Sequence, residues 1–213
     1  MGIDAGGVGP ARLGANKEKT VMHRYCSLIP ATAALALAAG ATAALSFDDV
    51  LVAYWVGQGE NEAMMIVDWQ GDHALGFGYR WDDLDAPTDF DLFESVNDAS
   101  DRFYREWVDG MPEQAVFGIG WDADDDGFGK TDPDDWYEEG WYENGYWSQW
   151  VSPDGEVWDW GMGLGTVDLA DGDWIGWSWA PDFESTAPNV PLIPAPGAMM
   201  LLSLAAVRSR RRR

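Results

Sequence analysis

Cysteine and histidine are nearly absent: the 213 residues hold one Cys and two His. One thiol cannot pair within its own chain, so a disulfide scaffold is excluded. Two histidines leave few ways to build zinc, haem or non-haem iron centres. Bases are scarce too, 13 Lys and Arg against 37 Asp and Glu, for a formal net charge of −24. That balance argues against a nucleic-acid partner, because phosphates need Lys and Arg to neutralise them. What the chain has in plenty is tryptophan and glycine, 14 and 25 residues, within a composition that is 46% hydrophobic. Such a chain can bury a core, and wholesale disorder is ruled out.

The charge is unevenly placed. Residues 1–45 carry Arg12, Lys17, Lys19 and Arg24 against Asp4 and Glu18. The last stretch, 187–213, carries five arginines and no acid. Between them, residues 46–186 keep four bases, Arg80, Arg102, Arg105 and Lys130, against 35 acids, and hold all 14 tryptophans. These compositions divide the chain into a leader (1–45), an acidic Trp-rich globular domain (46–185) and a tail made of a Pro-rich linker (186–196) and a hydrophobic helix with an arginine cluster (197–213).

In the leader, Met22-His23-Arg24-Tyr25-Cys26 precedes an apolar run from Leu28 to about Leu45. A basic start, a short Ala/Leu core and a small-x-small site make a secretory signal peptide, with Met22 as the start and cleavage near Ala43 by signal peptidase. Cleavage there removes Cys26. In the tail, Pro188, Pro191, Pro194 and Pro196 predict an extended tether. The apolar run Gly197 to Val207 is shorter than the ~20 residues that span a bilayer comfortably. The arginines after it favour a cytoplasmic end, which places the acidic body outside the membrane. Pro194-Ala195-Pro196, the apolar stretch and the terminal Arg208, Arg210, Arg211, Arg212 and Arg213 together resemble the PEP-CTERM sorting signal, with Ala195 where that family has glutamate. The resemblance covers about the last 25 residues. It implies an exosortase-type processing enzyme as partner, transient membrane anchoring and transfer to the cell surface. The body, with its Gly78-Tyr79-Arg80-Trp81-Asp82 block and an acidic loop after Gly118-Ile119-Gly120, is similar to exported bacterial proteins that carry the same tail. That likeness brings no activity with it.

The body reads mostly as strands. Val50–Val56 and Ala63–Trp69, joined across Gly57 to Glu62, form a hairpin signal, and Ala74–Trp81 follows after Gly71-Asp72. Three such strands predict an antiparallel meander. Thr88 is a helix cap with Asp91 at the capping-box spacing, and Phe90, Phe93 and Val96 line one face of a helix that ends near Asn97. Later strand candidates are Phe103–Val108, Ala115–Trp121, Gly145–Val151, Val157–Met162 and Trp174–Trp179, with Asp154-Gly155 as a turn. The expected fold is α+β, mostly β: a meander or β-sandwich-like domain with one short helix.

The sharpest chemical motif is Trp121-Asp122-Ala123-Asp124-Asp125-Asp126-Gly127-Phe128. Asp122, Asp124 and Asp126 alternate and Gly127 permits a sharp turn, as in calcium loops. Three carboxylates and the Phe128 carbonyl, with Asp132, Asp134 or Asp135 to complete the shell, then approach the six to eight oxygens that Ca²⁺ requires. Carboxylates this close repel one another unless a cation sits among them. The full EF-hand pattern fails, since Lys130 and Pro133 stand where ligands belong. Trp141, Trp147, Trp150 and Trp158 are the candidate ligand surface. Rings stack on the C–H face of sugars and acids take their hydroxyls, which points to extracellular polysaccharide. The bland alternative is that large rings fill the core of a Gly-rich sheet. Catalysis has little to stand on. His73, the one histidine after the leader, lies in a turn beside Asp72, and among 35 acids some pair always falls at a hydrolytic distance. The composite expectation is an exported, non-enzymatic, calcium-stabilised surface protein. A secreted carbohydrate-active enzyme and a purely structural, salt-adapted surface protein are the rivals.

Overall fold

The computed structural model describes residues 45–82, 86–111, 115–142 and 144–194. The expected signal peptide, with Met22 and Ala43, and the tail residues Ala195, Pro196, Arg208, Arg210, Arg211, Arg212 and Arg213 lie outside these residues. Among the described residues no helix is long and apolar enough to cross a membrane. The body is mostly β, two sheets with one α-helix. The strands are β1 (Val52–Gly57), β2 (Asn61–Asp68), β3 (Ala74–Trp81), β4 (Phe103–Trp107), β5 (Val116–Trp121), β6 (Trp136–Glu139), β7 (Tyr146–Ser152), β8 (Asp159–Trp160) and β9 (Trp174–Ala180), and the helix α1 is Asp89–Ala99. Six strands form one sheet in the order β1-β3-β2-β9-β7-β8, and β4-β5-β6 form the other.

The first three strands are not the simple meander that the sequence predicts. β2 and β3 are an antiparallel hairpin, but β3 lies between β1 and β2 and pairs with β1 in parallel. The Gly57-to-Glu60 connection therefore passes over the end of β3 instead of folding back as a tight turn. Glycine makes that crossing possible. A Cβ on Gly57 would stand 2.2 Å from the Arg80 carbonyl oxygen, and one on Gly59 would stand 2.0 Å from Trp81 backbone atoms. Both residues also have positive φ, which L side chains rarely adopt. The small sheet is the true antiparallel meander, and its third strand, β6, is one that the sequence pattern does not reveal.

The large sheet is apolar on both faces. Along β2, Ala63, Met65 and Val67 enter one core, and Met64 and Ile66 enter another. Along β3, Leu75, Phe77 and Trp81 join the first core. The intervening glycines let large side chains lie flat on the opposite face: a Cβ on Gly78 would meet the Trp55 ring at 2.2 Å. The alternation of small and large residues is thus the signature of a sheet covered on both sides. Arg80 lies on the same face as Gly78, 4.4 Å above Trp55 and paired with Glu62 at 2.8 Å.

The first core is shared by both sheets and the helix. Phe77 meets Tyr54, Phe103 and Trp121 at centroid distances of 5.2–5.6 Å, and the Trp69 indole N–H donates to the Ile119 carbonyl at 2.9 Å. Helix α1 starts with the expected capping box of Thr88 and Asp91 and runs to Ala99, two residues past the expected end. It buries Leu92, Phe93 and Val96. Its Glu94 pairs with Arg105 of β4 at 2.7 Å.

The second core is closed by the two ends of the body. Val50 bridges Leu192, the Leu51 N–H donates to Pro191 O at 2.7 Å, and the Ile193 N–H donates to Asp49 O at 2.8 Å. Buried Asp68 accepts from the Asn189 backbone N–H and side-chain amide, both at 2.8 Å. Residues 188–193, part of the stretch expected as a tether, are extended as prolines favour, and they lie against the body as a strap. Gly176 leaves room for it: a Cβ there would strike Pro188 at 2.5 Å and Trp158 at 2.8 Å.

Candidate functional site

The acidic loop joins β5 to β6, and strand register decides which of its acids meet. Trp121 pairs with Trp136 at the end of the ladder. The next residue on each side, Asp122 and Asp135, therefore face each other across the loop mouth. Asp122, Asp124 and Asp135 each bring a carboxylate oxygen within 4.8 Å of the others, an arrangement that can hold a metal ion. Asp122 is buried, Asp135 half-buried and Asp124 exposed.

Two of these acids also shape the loop. Asp122 accepts from the N–H groups of Asp125 at 2.6 Å and Gly127 at 2.9 Å. Asp135 accepts from Ala123 at 3.1 Å and Gly129 at 2.7 Å. Arg102 holds the loop's first turn: it lies 4.5 Å over the Trp121 ring and donates to the Asp122 and Ala123 carbonyls at 2.6–3.0 Å. Burial works to raise the Asp122 carboxyl pKa, but the N–H groups of Gly127, Asp125 and Asp126, with Arg102, outweigh it and hold the group below the usual value. Asp124 is pushed the other way, by desolvation and then by the charge of Asp126. A cation would relieve Asp124.

The membership differs from what the spacing predicts. Asp126 and Asp132 fall outside the cluster. Asp132 instead accepts from the Asp134 N–H at 3.0 Å. The Phe128 ring stacks on Tyr104 at 4.6 Å, in the space that Gly120 leaves free. Asp135, one of three downstream acids that the spacing leaves open to complete the shell, is selected by hairpin closure, because a strand starting at Trp136 returns it to Asp122. Lys130 pairs outside the aspartate cluster. Its ammonium contacts Glu106 and Glu139, at 2.9 Å for Glu139, and lies over the Tyr104 and Tyr137 rings at 5.5 and 4.9 Å. Burial pushes its pKa down, but Glu106, Tyr137 and Glu139 prevail and raise it. Lys130 thus latches the loop onto the small sheet.

The four candidate tryptophans do not form one strip. Trp147 is 4% exposed, belongs to the shared core and donates to Glu138 O at 3.0 Å. Trp150, three residues on, faces the opposite side of β7, as strand alternation requires. It donates to the Ser148 hydroxyl at 3.0 Å and its ring packs on Trp160. Trp158 is half-buried against the second core. Trp141 is half-buried beside a cavity that also contacts Trp147 and Trp160. His73, on its turn, stacks on Trp136 with ring centroids 4.7 Å apart.

One buried acid near that cavity escaped the sequence reading. Asp89 is fully buried and accepts from the Gln149 amide and from the N–H groups of Gly165 at 3.2 Å and Val167 at 2.9 Å. Desolvation raises its pKa and these donors only partly offset that. Its job is to tie the start of α1 to β7 and to the loop 163–167. No family model matches the chain, and no curated protein or solved structure shows significant similarity to it.

Proposed function

We propose that this chain is an exported, non-enzymatic surface or matrix protein whose body is stabilised by Ca²⁺ and associates with extracellular polysaccharide. The leader and the arginine-ended tail supply the export and sorting part of this reading, with signal peptidase and an exosortase-type enzyme as processing partners. The two sheets closing on one core fit a sandwich-like carrier. The observation that carries the reading is the meeting of Asp122, Asp124 and Asp135. Calcium suits hard, partly hydrated carboxylate sites of irregular geometry, with loop carbonyls and water completing its six to eight oxygens.

The test is a thermal melt of the full-length protein in CaCl₂ and in chelator. A ligand bound only by the folded state at a hundred times its Kd adds about 2.7 kcal/mol. The midpoint is expected to rise with Ca²⁺, and Asp124→Asn or Asp135→Asn is expected to abolish the rise while Asp126→Asn retains it. An unchanged wild-type midpoint removes calcium from the proposal. Release of reducing ends from a polysaccharide would replace it with a secreted carbohydrate-active enzyme.

A further inference from the structure

The short strand β8 pairs only with Trp150 and Val151, so the first half of β7 has no β8 partner alongside it. Beside that half lies a cavity of about 170 Å³, bounded by the start of β5, the 161–163 turn and the connection after β6. Its walls are largely aromatic: Trp141, Trp147, Trp160 and Trp177. From this we infer that the cavity binds one neutral pyranose ring of an extracellular glycan. The inference rests on the polysaccharide part of the function proposed above and gives it a place.

Size comes first. A cavity of about 150 Å³ accepts benzene, so this one has room for a single six-membered ring. Polar chemistry then narrows the class. The Gln149 amide is committed to Asp89 and to the Gly163 N–H, and the Ser148 hydroxyl donates to Ser178 O and accepts from Trp150. Two buried donors of the lining residues are not committed. The indole N–H groups of Trp141 and Trp177 are buried and find no acceptor among the described residues, and Trp177 is itself only 3% exposed. A buried donor left unmade is costly, so a ligand that brings acceptors is favoured over one that does not.

Each other ligand class fails on one of these points. A hydrocarbon leaves both N–H groups unmet. A cation would suit the ring faces, but it repels N–H donors. An anion must enter a strongly acidic body through walls in which none of the described lining residues is charged. A neutral ring edged with hydroxyls and faced with C–H bonds meets all three constraints. It stacks on the indole faces and offers oxygens to their N–H groups. Both nitrogens are sealed from solvent, so binding must part the rings slightly, and Trp160, 55% exposed, is the most exposed of the four tryptophans. Trp141 also borders a second concavity of about 290 Å³ with Phe117, Tyr142 and Asn144. A chain seated in the cavity thus has a place for its neighbouring residue.

The experiment is ¹⁵N–¹H spectroscopy of the indole N–H signals in the full-length protein, titrated with cellohexaose, maltohexaose, chitohexaose and decaproline. Trp141→Phe and Trp177→Phe assign the two signals by deleting one each. The expected result is that a hexaose shifts both signals and that Trp160→Ala weakens its binding by about tenfold or more, as loss of one stacking face should. Trp160 is largely exposed, so an unchanged melting midpoint is the check on folding. Should Trp160→Ala unfold, Trp141→Phe serves the same comparison. If a hexaose binds wild type, Trp160→Ala and Trp141→Phe equally, the cavity assignment falls while the polysaccharide reading stands. If no hexaose binds and the protein also fails to co-sediment with insoluble polysaccharide, both fall. If decaproline alone shifts the signals, the cavity is a peptide site and the inference is overturned.

Discussion

Within the reach of the large sheet, the buried acids are few and each is answered by protein donors. Asp68 takes three N–H groups, from Gln70 and twice from Asn189, and Asp89 takes three from Gln149, Gly165 and Val167. On the small sheet, the loop between β5 and β6 crowds Asp122, Asp124 and Asp135 together, and Asp124 stands exposed with its pKa raised. The first arrangement is complete without help and ties distant segments together. The second leaves negative charge that only a cation or solvent can balance. One region therefore owes its shape to packing, and the other is poised to respond to its ionic surroundings.

The comparison breaks most visibly at its packed end. Phe77→Ala removes a fully buried ring that touches both sheets, and should cost about 3–5 kcal/mol in chemical denaturation, equally with calcium and with chelator. A calcium-dependent loss would mean that the two regions are not separate. A smaller effect is expected at Asp89→Asn, which sets an amide against one of three N–H donors and should cost about 1–3 kcal/mol. The pH dependence has a definite sign. The Asp89 pKa is raised in the fold, so its protonation favours the native state. That contribution is full below the ordinary value of 3.8 and is lost as pH rises through the raised value. The gap between wild type and Asp89→Asn should therefore widen as pH falls through this window. The smallest effect is expected at Lys130→Met. Its side chain is 38% exposed, so the lost ion pairs should cost at most about 1 kcal/mol, and concentrated salt should erase the difference.

Much of the strand pattern was legible because alternation has a physical cause that shows in single residues. Gly76 and Gly78 alternate with Phe77, Tyr79 and Trp81 since one face needs bulk and the other needs room for Val50 and Trp55. The Thr88–Asp91 cap was legible because it is local. Strand order was not. A short glycine-containing link looks the same whether it turns back or crosses over a third strand, and only the pairing of β1 with β3 separates the two. β6 was hidden because Trp136-Tyr137-Glu138-Glu139 is short and follows a run of acids. The acidic cluster was partly legible, for a similar reason. Asp122 and Asp124 follow from local spacing, whereas Asp135 arrives through a ladder closed by Trp121 and Trp136. The tryptophans showed their number but not their faces, because alternation assigns a face only once the register of β7 against β9 is known.

The strap has a mechanical consequence. Residues 49–51 and 191–193 run antiparallel, so Asp49 and Ile193 lie side by side at one end of the strap. Force applied beyond residue 194 would load the Ile193, Leu192 and Pro191 contacts in succession, as in peeling tape, instead of shearing them all at once. The strap should yield first and lay bare the face beneath it around Trp174, while the remaining strands stay clasped about Phe77.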